Sequence, residues 1–377
     1  MKELTVIIPC LNEAETIGQV VRDAVRGLRK ASCDGEVLVS DNGSTDASVE
    51  IARSQGARVI RCPKRGYGSA LRYGIESAES TYVLFGDADG SYDLSNLSGF
   101  VRELRNGSDL VIGTRLRGRI EPGAMPLLHR YLGTPVLTRL LNFLFHMSIS
   151  DCNSGMRGLS KEAFRRMGLT ASGMEFASEM LIKAGIFGLK VREIPITLHR
   201  DKRDREPHLH TWSDGWRHLR LLLIYAPNHL FVYPGLLLFL LGTGLLFLQA
   251  DGPVTFGSLH MDLHFMILGI SLSVLGMSVF QMGMIIKLFS YQNDYYENDW
   301  MVRKLKLFPF NRKIFVGLGV TSIGIGIFLM ILIDWIRLSL ANPQMIRFSL
   351  FGLYFVFIGI SLMLFFFLEA VMNKNEE

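Results

Sequence analysis

The sequence predicts an α/β domain built on a mostly parallel sheet, followed by an amphipathic interface helix and a four-helix transmembrane domain. Three observations predict it. Up to about Tyr225 the chain is charged and alternates short β-branched runs with segments of helical periodicity. Beyond that point long apolar runs dominate. The polar residues best suited to chemistry fall directly after the strand-like runs.

The α/β pattern emerges element by element. Residues 4–9, 36–40, 58–61, 82–86 and 109–113 are short apolar or β-branched runs of strand character. Residues 14–30, 46–55, 67–79 and 94–105, lying between them, carry apolar side chains at helical spacing. Strands alternating with helices predict a parallel sheet covered on both faces, and in such sheets ligands bind outside the carboxyl ends of the strands. The residues placed there are Pro9-Cys10-Leu11-Asn12-Glu13, Asp41-Asn42-Gly43-Ser44-Thr45-Asp46, Asp87-Ala88-Asp89 and Thr114-Arg115. All should converge on one edge. Residues 122–196 read instead as helices around a tight polar centre, Asp151-Cys152-Asn153-Ser154-Gly155-Met156-Arg157. Residues 200–205 are dense in charge, and residues 214–225 combine Trp216, Arg217 and Arg220 with Leu219, Leu221 and Leu222, the composition of an interfacial amphipathic helix.

Four apolar runs follow, at residues 230–248, 265–286, 314–333 and 348–368, with no charged side chain inside any of them. About 20 such residues cross a hydrocarbon core of about 30 Å. Four in series leave no soluble layer to cover them, which argues against buried core helices. The loop between the second and third runs holds Arg303, Lys304, Lys306, Arg312 and Lys313, whereas residues 249–264 contain no Lys or Arg. The positive-inside rule then places the basic loop, the N-terminal domain and the C-terminus in the cytoplasm. Met1-Lys2-Glu3 leads straight into a strand-like run, so no signal peptide is expected. The expected division is a cytoplasmic catalytic domain over residues 1–198, a juxtamembrane loop and interface helix over 199–228, and a four-span, multi-pass domain over 229–377.

The formal net charge of +5 suits a domain lying against anionic lipid and gives no reason to expect nucleic acid. Cys10, Cys33, Cys62 and Cys152 are scattered without a C-x-x-C pair, so neither a zinc site nor a disulfide framework is indicated. Reduced, mostly buried thiols are expected.

Asp87-Ala88-Asp89 is a D-x-D directly after an apolar strand. Alone, such a pair is more often a solvated turn; at a strand's carboxyl end it becomes a candidate for a hard divalent cation that bridges substrate phosphates. Asp41–Asp46 could be a turn with a helix cap, with Asp46 or Thr45 capping while Asp41 faces the crevice and meets a base or ribose. Gly66-Tyr67-Gly68-Ser69-Ala70-Leu71 lacks the third glycine of a dinucleotide fingerprint and follows the third strand, which excludes a dinucleotide-binding dehydrogenase. Close packing of a glycine-rich backbone near a nucleotide remains open to it.

Taken in order, V-I-I-P-C-L-N-E, D-N-G-S-T-D, G-Y-G-S-A-L, D-A-D, G-T-R and D-C-N-S-G-M-R resemble the family-two glycosyltransferases, whose GT-A fold is a Rossmann-like, mostly parallel α/β sheet. The match is to the branch of dolichyl-phosphate mannose synthases and bacterial polyprenyl-phosphate glycosyltransferases, over about residues 4–196. The resemblance implies that Pro9, Leu11, Asn12, Glu13, Asp41, Asn42, Gly66 and Gly68 line the nucleotide-sugar pocket, with Asp87, Ala88 and Asp89. It implies that Asp87 and Asp89 hold the donor and a Mg²⁺ or Mn²⁺ ion, and that Arg115 and Arg130, with Thr134, grip an acceptor phosphate, as guanidinium forks do. For Arg115 a surface ion pair is the other reading.

The chain also departs from that family. Where relatives continue D-A-D-L-Q, Gly90 and Ser91 stand here, so metal coordination could be completed by Ser91, Asp93, water or another group. Asn42 replaces the second Asp of D-D-G-S-T-D. The stretch Arg200-Asp201-Lys202-Arg203-Asp204-Arg205 could close over a phosphate, through Arg200, Arg203 and Arg205, or be a solvated loop drawn to headgroups. His208 or His210 could contact the metal or do neither.

The resemblance implies in-line, inverting transfer of a hexose from a UDP- or GDP-sugar to undecaprenyl or dolichyl phosphate. A phosphate monoester carries about −1.5 to −2 charges near pH 7, so this nucleophile needs no strong base. Glu175 and Glu179 could share a helix face near the site or simply be surface. Relatives with few spans often assemble through them, so a homo-oligomer is a further expectation. Two alternatives stand: a membrane glycosyltransferase with another lipid or saccharide acceptor, and a non-catalytic membrane scaffold. The absence of Q-x-x-R-W counts against a processive synthase, and retention of both Asp87 and Asp89 counts against a scaffold.

Overall fold

A computed structural model describes residues 2–201, 211–292, 299–338 and 343–373. The chain divides into two compact units, Met1–Tyr225 and Ala226–Glu377.

The first unit is built on strands β1 (Lys2–Cys10), β2 (Gly35–Asp41), β3 (Arg58–Arg61), β4 (Ser80–Phe85), β5 (Leu110–Ile120), β6 (Arg157–Ser160) and β7 (Val191–Leu198). They form one sheet in the order β3-β2-β1-β4-β6-β5-β7. Every pairing is parallel except those of β6, which runs against both β4 and β5. Near-continuous burial along Leu4–Cys10 and Val37–Asp41 is what a sheet covered on both faces demands of its central strands.

The covering helices are α1 (Ile17–Lys30), α2 (Ser48–Ser54), α3 (Tyr67–Ser77), α4 (Ser98–Arg105), α5 (Thr134–Phe145), α6 (Lys161–Met167), α7 (Phe176–Ile186) and α8 (Thr211–Ile224). Helix α1 shows why they form. Ile17, Val20, Val21, Ala24 and Leu28 make one buried face, and Arg29 and Lys30 lie in the last turn, where cations suit the helix dipole. In α6 the Ser160 side chain accepts from the Ala163 N–H, and Gly168 ends the helix with φ of 51°. The core joins β1 and β2 to Phe100, Val101 and Leu104 of α4 and to Val111 of β5.

Residues 122–196, expected as helices around a tight polar centre, contain β6 and β7 as well. The Arg-Gly-Leu-Ser of β6 has no strand periodicity; it is a strand because it is paired on both sides, Leu159 opposite both Val83 and Leu110. Tertiary pairing here overrides local propensity.

In the second unit a π-helical turn, Asn228–Val232, leads into α9 (Tyr233–Phe247); a short hairpin, β8 (Val254–Phe256) and β9 (Leu259–Met261), follows. Then come α10 (Leu263–Gln292), α11 (Trp300–Leu307), α12 (Phe310–Leu338) and α13 (Pro343–Asn373). Among the described residues, four helices are long and apolar enough to cross a membrane. Glycines set the packing. A Cβ on Gly235 or Gly242 of α9 would lie 2.4 Å from backbone of α10, and one on Gly324 of α12 would lie 2.6 Å from the Gly352 carbonyl of α13. Small residues at such crossings let backbones touch, as apolar helices in lipid require. Helices α10, α12 and α13 outrun the apolar runs of the sequence; Lys287 of α10 pairs with Asp299, just before α11, at 2.6 Å, and Lys313 of α12 with Glu369 of α13 at 2.5 Å.

Candidate active site

Strands β1, β2, β4 and β5 end on one edge of the sheet, and the antiparallel β6 begins there. The loops on that edge are tied to one another. Asn12, at φ of 57°, donates its backbone N–H to Ser44 Oγ at 2.9 Å, while its Oδ1 accepts from the Thr45 N–H at 2.8 Å. The Glu13 N–H donates to Ser48 Oγ at 2.7 Å and the Ala14 N–H to Asp46 Oδ2 at 3.2 Å. Pro9 and Glu13 are buried beside exposed Leu11. Asp46 also accepts from the Ser48 N–H at the start of α2. Asp41, 2% exposed, turns its carboxylate onto its own loop, accepting from Ser44 N–H at 3.0 Å and Gly43 N–H at 3.3 Å.

Asn42 reaches the next loop. Its Nδ2 donates to the Lys64 carbonyl at 2.9 Å, and its Oδ1 accepts from the Gly66 N–H at 2.8 Å. Gly66 needs to be glycine: φ is 130°, and a Cβ would lie 2.2 Å from the Ser172 carbonyl. A Cβ on Gly68 would lie 2.6 Å from the Ala171 carbonyl. The segment that closes on these glycines is held from behind by buried Glu179, which accepts from Thr170 and Ala171 N–H groups at 2.8–3.1 Å and pairs with Lys183 at 3.0 Å. Glu175 accepts from the Gly173 N–H at 3.2 Å. Both glutamates therefore act on the 170–173 loop.

The D-x-D follows β4. Asp87 Oδ1 accepts from the Tyr67 hydroxyl at 2.8 Å. Asp89 Oδ1 accepts from Ser91, from its N–H at 2.9 Å and its hydroxyl at 2.6 Å. Ser91 thus orients Asp89 and has its hydroxyl turned to it. Asp93 accepts from the Ser95 N–H, shaping the turn beyond. Tyr92 accepts the Gly155 N–H at 2.8 Å; burial pushes its phenol up to about 12.

Gly155 belongs to the loop before β6, which is held by the guanidinium groups of Arg115 and Arg157. Arg115 meets the fully buried Asp151 bidentately, Nε and Nη2 each at 2.8 Å. Burial alone would raise the Asp151 carboxyl; the Arg115 guanidinium outweighs that and holds it below the usual carboxylate range. Arg115 is therefore in a buried pair, where the sequence offered a phosphate grip or a surface pair. Arg157, wholly buried, gives its guanidinium to the carbonyls of Ser154, Cys152 and Ala177 and so fixes the loop's path.

Arg130 lies in a π-helical turn, His129–Gly133, just before α5, its guanidinium 5.4 Å from the Tyr131 ring centroid. The start of α5 docks on the same loop: Thr134 Oγ1 accepts from Asn153 Nδ2 at 3.3 Å and Thr138 Oγ1 from the Cys152 N–H at 3.2 Å. Around Arg130 the surface is apolar and open, with Leu127, Tyr131 and Leu132 at 72%, 69% and 57% exposure and Leu128 beside them. Beyond β7, His199 donates its N–H to the Ser91 carbonyl at 2.9 Å, so exposed Arg200 follows the segment after the D-x-D. Arg203, Arg205, His208 and His210 lie outside the described residues. The four cysteines are free thiols, Cys10, Cys62 and Cys152 buried.

Sequence reasoning missed Tyr67, Tyr92 and Arg157. Two of them stood inside motifs already singled out, Tyr67 in G-Y-G-S-A-L and Arg157 in D-C-N-S-G-M-R, but were given no role.

Comparison with known proteins gives the same picture. Residues 5–168 match the family "Glycosyl transferase family 2" and residues 284–373 match the "Glycosyltransferase family 2 C-terminal transmembrane region". The low-salt glycan biosynthesis hexosyltransferase Agl6 of Haloferax volcanii is 40% identical over 281 residues, 74% of this chain and 67% of that protein. The dolichyl-phosphate hexose transferase of the same organism is 32% identical over 195 residues, 52% of this chain and 82% of that protein. Glucosyl-3-phosphoglycerate synthase from Mycobacterium tuberculosis, solved with Mn²⁺, UDP and glucosyl-3-phosphoglycerate, aligns at 23% identity with a TM-score of 0.44, over 59% of this chain and 78% of that one. With its GT-A sheet and four membrane-spanning helices, the chain belongs to glycosyl transferase family 2 and is a membrane glycosyltransferase.

Proposed function

We propose that this enzyme transfers a hexose from a UDP- or GDP-sugar to the phosphate of a polyprenyl lipid, with inversion at the anomeric carbon. The observation that carries the acceptor is Arg130, a phosphate-binding side chain set among exposed Leu127, Leu128, Tyr131 and Leu132. A soluble acceptor gives no reason for that apolar surround, whereas a lipid phosphate presents an anion on a hydrocarbon chain. The printed name of the dolichyl-phosphate hexose transferase supports the same class of acceptor.

Pro9, Leu11, Asn12, Glu13, Asp41, Asn42, Gly66 and Gly68 form the donor pocket in this reading, with Asp87, Ala88 and Asp89 at its phosphate end. Asp87 and Asp89 fit Mg²⁺ or Mn²⁺. They are two hard oxygen donors, and no cluster of three or more His, Cys, Asp or Glu that could hold a metal occurs among the described residues, so the donor diphosphate and water would complete the shell. Bound there, the ion would neutralise charge on the leaving diphosphate. Arg130, Thr134 and Arg200 orient the acceptor, while Arg115, neutralised in its pair with Asp151, shapes the same edge. Because a lipid phosphate is already ionised, positioning supplies most of the catalysis. The same reading keeps residues 1–198 as the catalytic domain, 199–228 as the juxtamembrane segment and 229–377 as the anchor, with the basic loop, both termini and the active site on the cytoplasmic side.

The test mixes purified protein with undecaprenyl or dolichyl phosphate, Mg²⁺ or Mn²⁺ and a panel of UDP- and GDP-sugars. Nucleotide release that depends on lipid, with one donor, is expected. Release indifferent to lipid would point to another acceptor.

A further inference from the structure

We infer that Tyr67, aimed by Asn42, is the positioning residue that fixes the Asp87 carboxylate for donor binding. The inference rests on the reading of Asp87 and Asp89 as the donor-binding and metal-binding carboxylates.

Strand β4 fixes the backbone leading to Asp87, but two side-chain torsions remain to be set. The Tyr67 hydroxyl donates to Oδ1 at 2.8 Å. Gly155 closes the other side, where a Cβ would stand 2.7 Å from Oδ2 and 3.2 Å from the Tyr92 ring. The carboxylate is thus bonded on one oxygen and walled at the other.

The placement of Tyr67 depends in turn on Asn42. Tyr67 is the first residue of α3, directly after Gly66, whose positive φ leaves the chain little freedom beside Ser172. Gly66 is pinned by Asn42 Oδ1, and the preceding Lys64 carbonyl by Asn42 Nδ2. An amide both accepts and donates; an aspartate in its place would accept from Gly66 but set oxygen against oxygen at Lys64. Asn42 is the position at which this chain departs from D-D-G-S-T-D, and its two bonds give that departure a purpose. The route runs from the loop after β2, through the entrance of α3, to the D-x-D after β4.

The test uses full-length Tyr67→Phe, Asn42→Asp and Asp87→Asn proteins. Binding of Mn²⁺ with UDP or GDP is measured by calorimetry, and the KM for donor and lipid is measured separately from kcat. Losing a hydrogen bond to a charged group is expected to weaken Mn²⁺–nucleotide binding and raise donor KM about tenfold in Tyr67→Phe. Lipid KM and Tm should stay near wild type. Asn42→Asp should move in the same direction by less, and a protein carrying both Asn42→Asp and Tyr67→Phe should be no worse than Tyr67→Phe alone. Binding and donor KM within twofold of wild type in Tyr67→Phe, while Asp87→Asn loses both, would overturn the role of Tyr67 alone. So would a fall in kcat with KM and binding unchanged. Wild-type binding by Asp87→Asn would overturn the reading of the D-x-D itself, and this inference with it.

Discussion

Asp151 and Arg115 show how much of this active site is internal support. Asp151 is fully buried and its partner nearly so, and removing one member of such a pair leaves the other charged and unmatched. Asp151→Asn should therefore destabilise the first unit by about 3–5 kcal/mol, seen as a lowered Tm. The sign of the pH dependence follows from the depressed carboxyl. The pair's contribution is complete above the unfolded value of about 3.9 and is lost as pH falls through the lower, folded value. Acid unfolding of wild type should be steeper in that window than that of Asp151→Asn. A different residue tests geometry without breaking the fold. In Gly155→Ala the added Cβ meets the movable end of Asp87, so activity should fall about tenfold or more with Tm little changed. Asp87 and Asp89 were legible in the sequence because two carboxylates after an apolar run are a local pattern. Tyr67 was not, because its partner lies across the sheet edge and no local spacing records that approach.

At the scale of elements, the first five strands and their helices were legible from alternation alone, and β3 (Arg58–Arg61) falls where the sequence put it. Strands β6 and β7 were not. A four-residue strand containing Arg157 and Gly158 takes its conformation from neighbours on both sides, a non-local cause. The turn before α5 carries an exposed apolar surface that the sequence reading passed over, since periodicity does not tell which face a short helix leaves open. Replacing Leu127, Leu128 and Leu132 together with Gln should raise lipid KM at least tenfold and leave donor KM unchanged, because complete burial of even one such side chain is worth about 1.5–3 kcal/mol. An equal rise in both would show that the change had spread into the donor pocket. In the second unit, Gly276→Leu should loosen α10 from α9, since its Cβ would already stand 2.3 Å from the Phe239 nitrogen. Lower thermal stability in detergent would report it.

At the scale of the whole molecule, the composition changes near Tyr225, and the chain forms two compact units, Met1–Tyr225 and Ala226–Glu377. One unit carries the family's transferase region, and the other holds, among the described residues, four helices long and apolar enough to cross a membrane. That pairing suits the proposed reaction between a nucleotide-sugar and a lipid phosphate. The most direct measurement is the structure of the product: the lipid recovered after turnover, analysed by mass spectrometry and by proton–phosphorus NMR. Addition of one hexose, joined through its anomeric oxygen to the single phosphate with the configuration opposite to that of the donor, is expected. A hexose on any other oxygen of the acceptor, or one that keeps the donor's configuration, would contradict inverting transfer to a lipid phosphate.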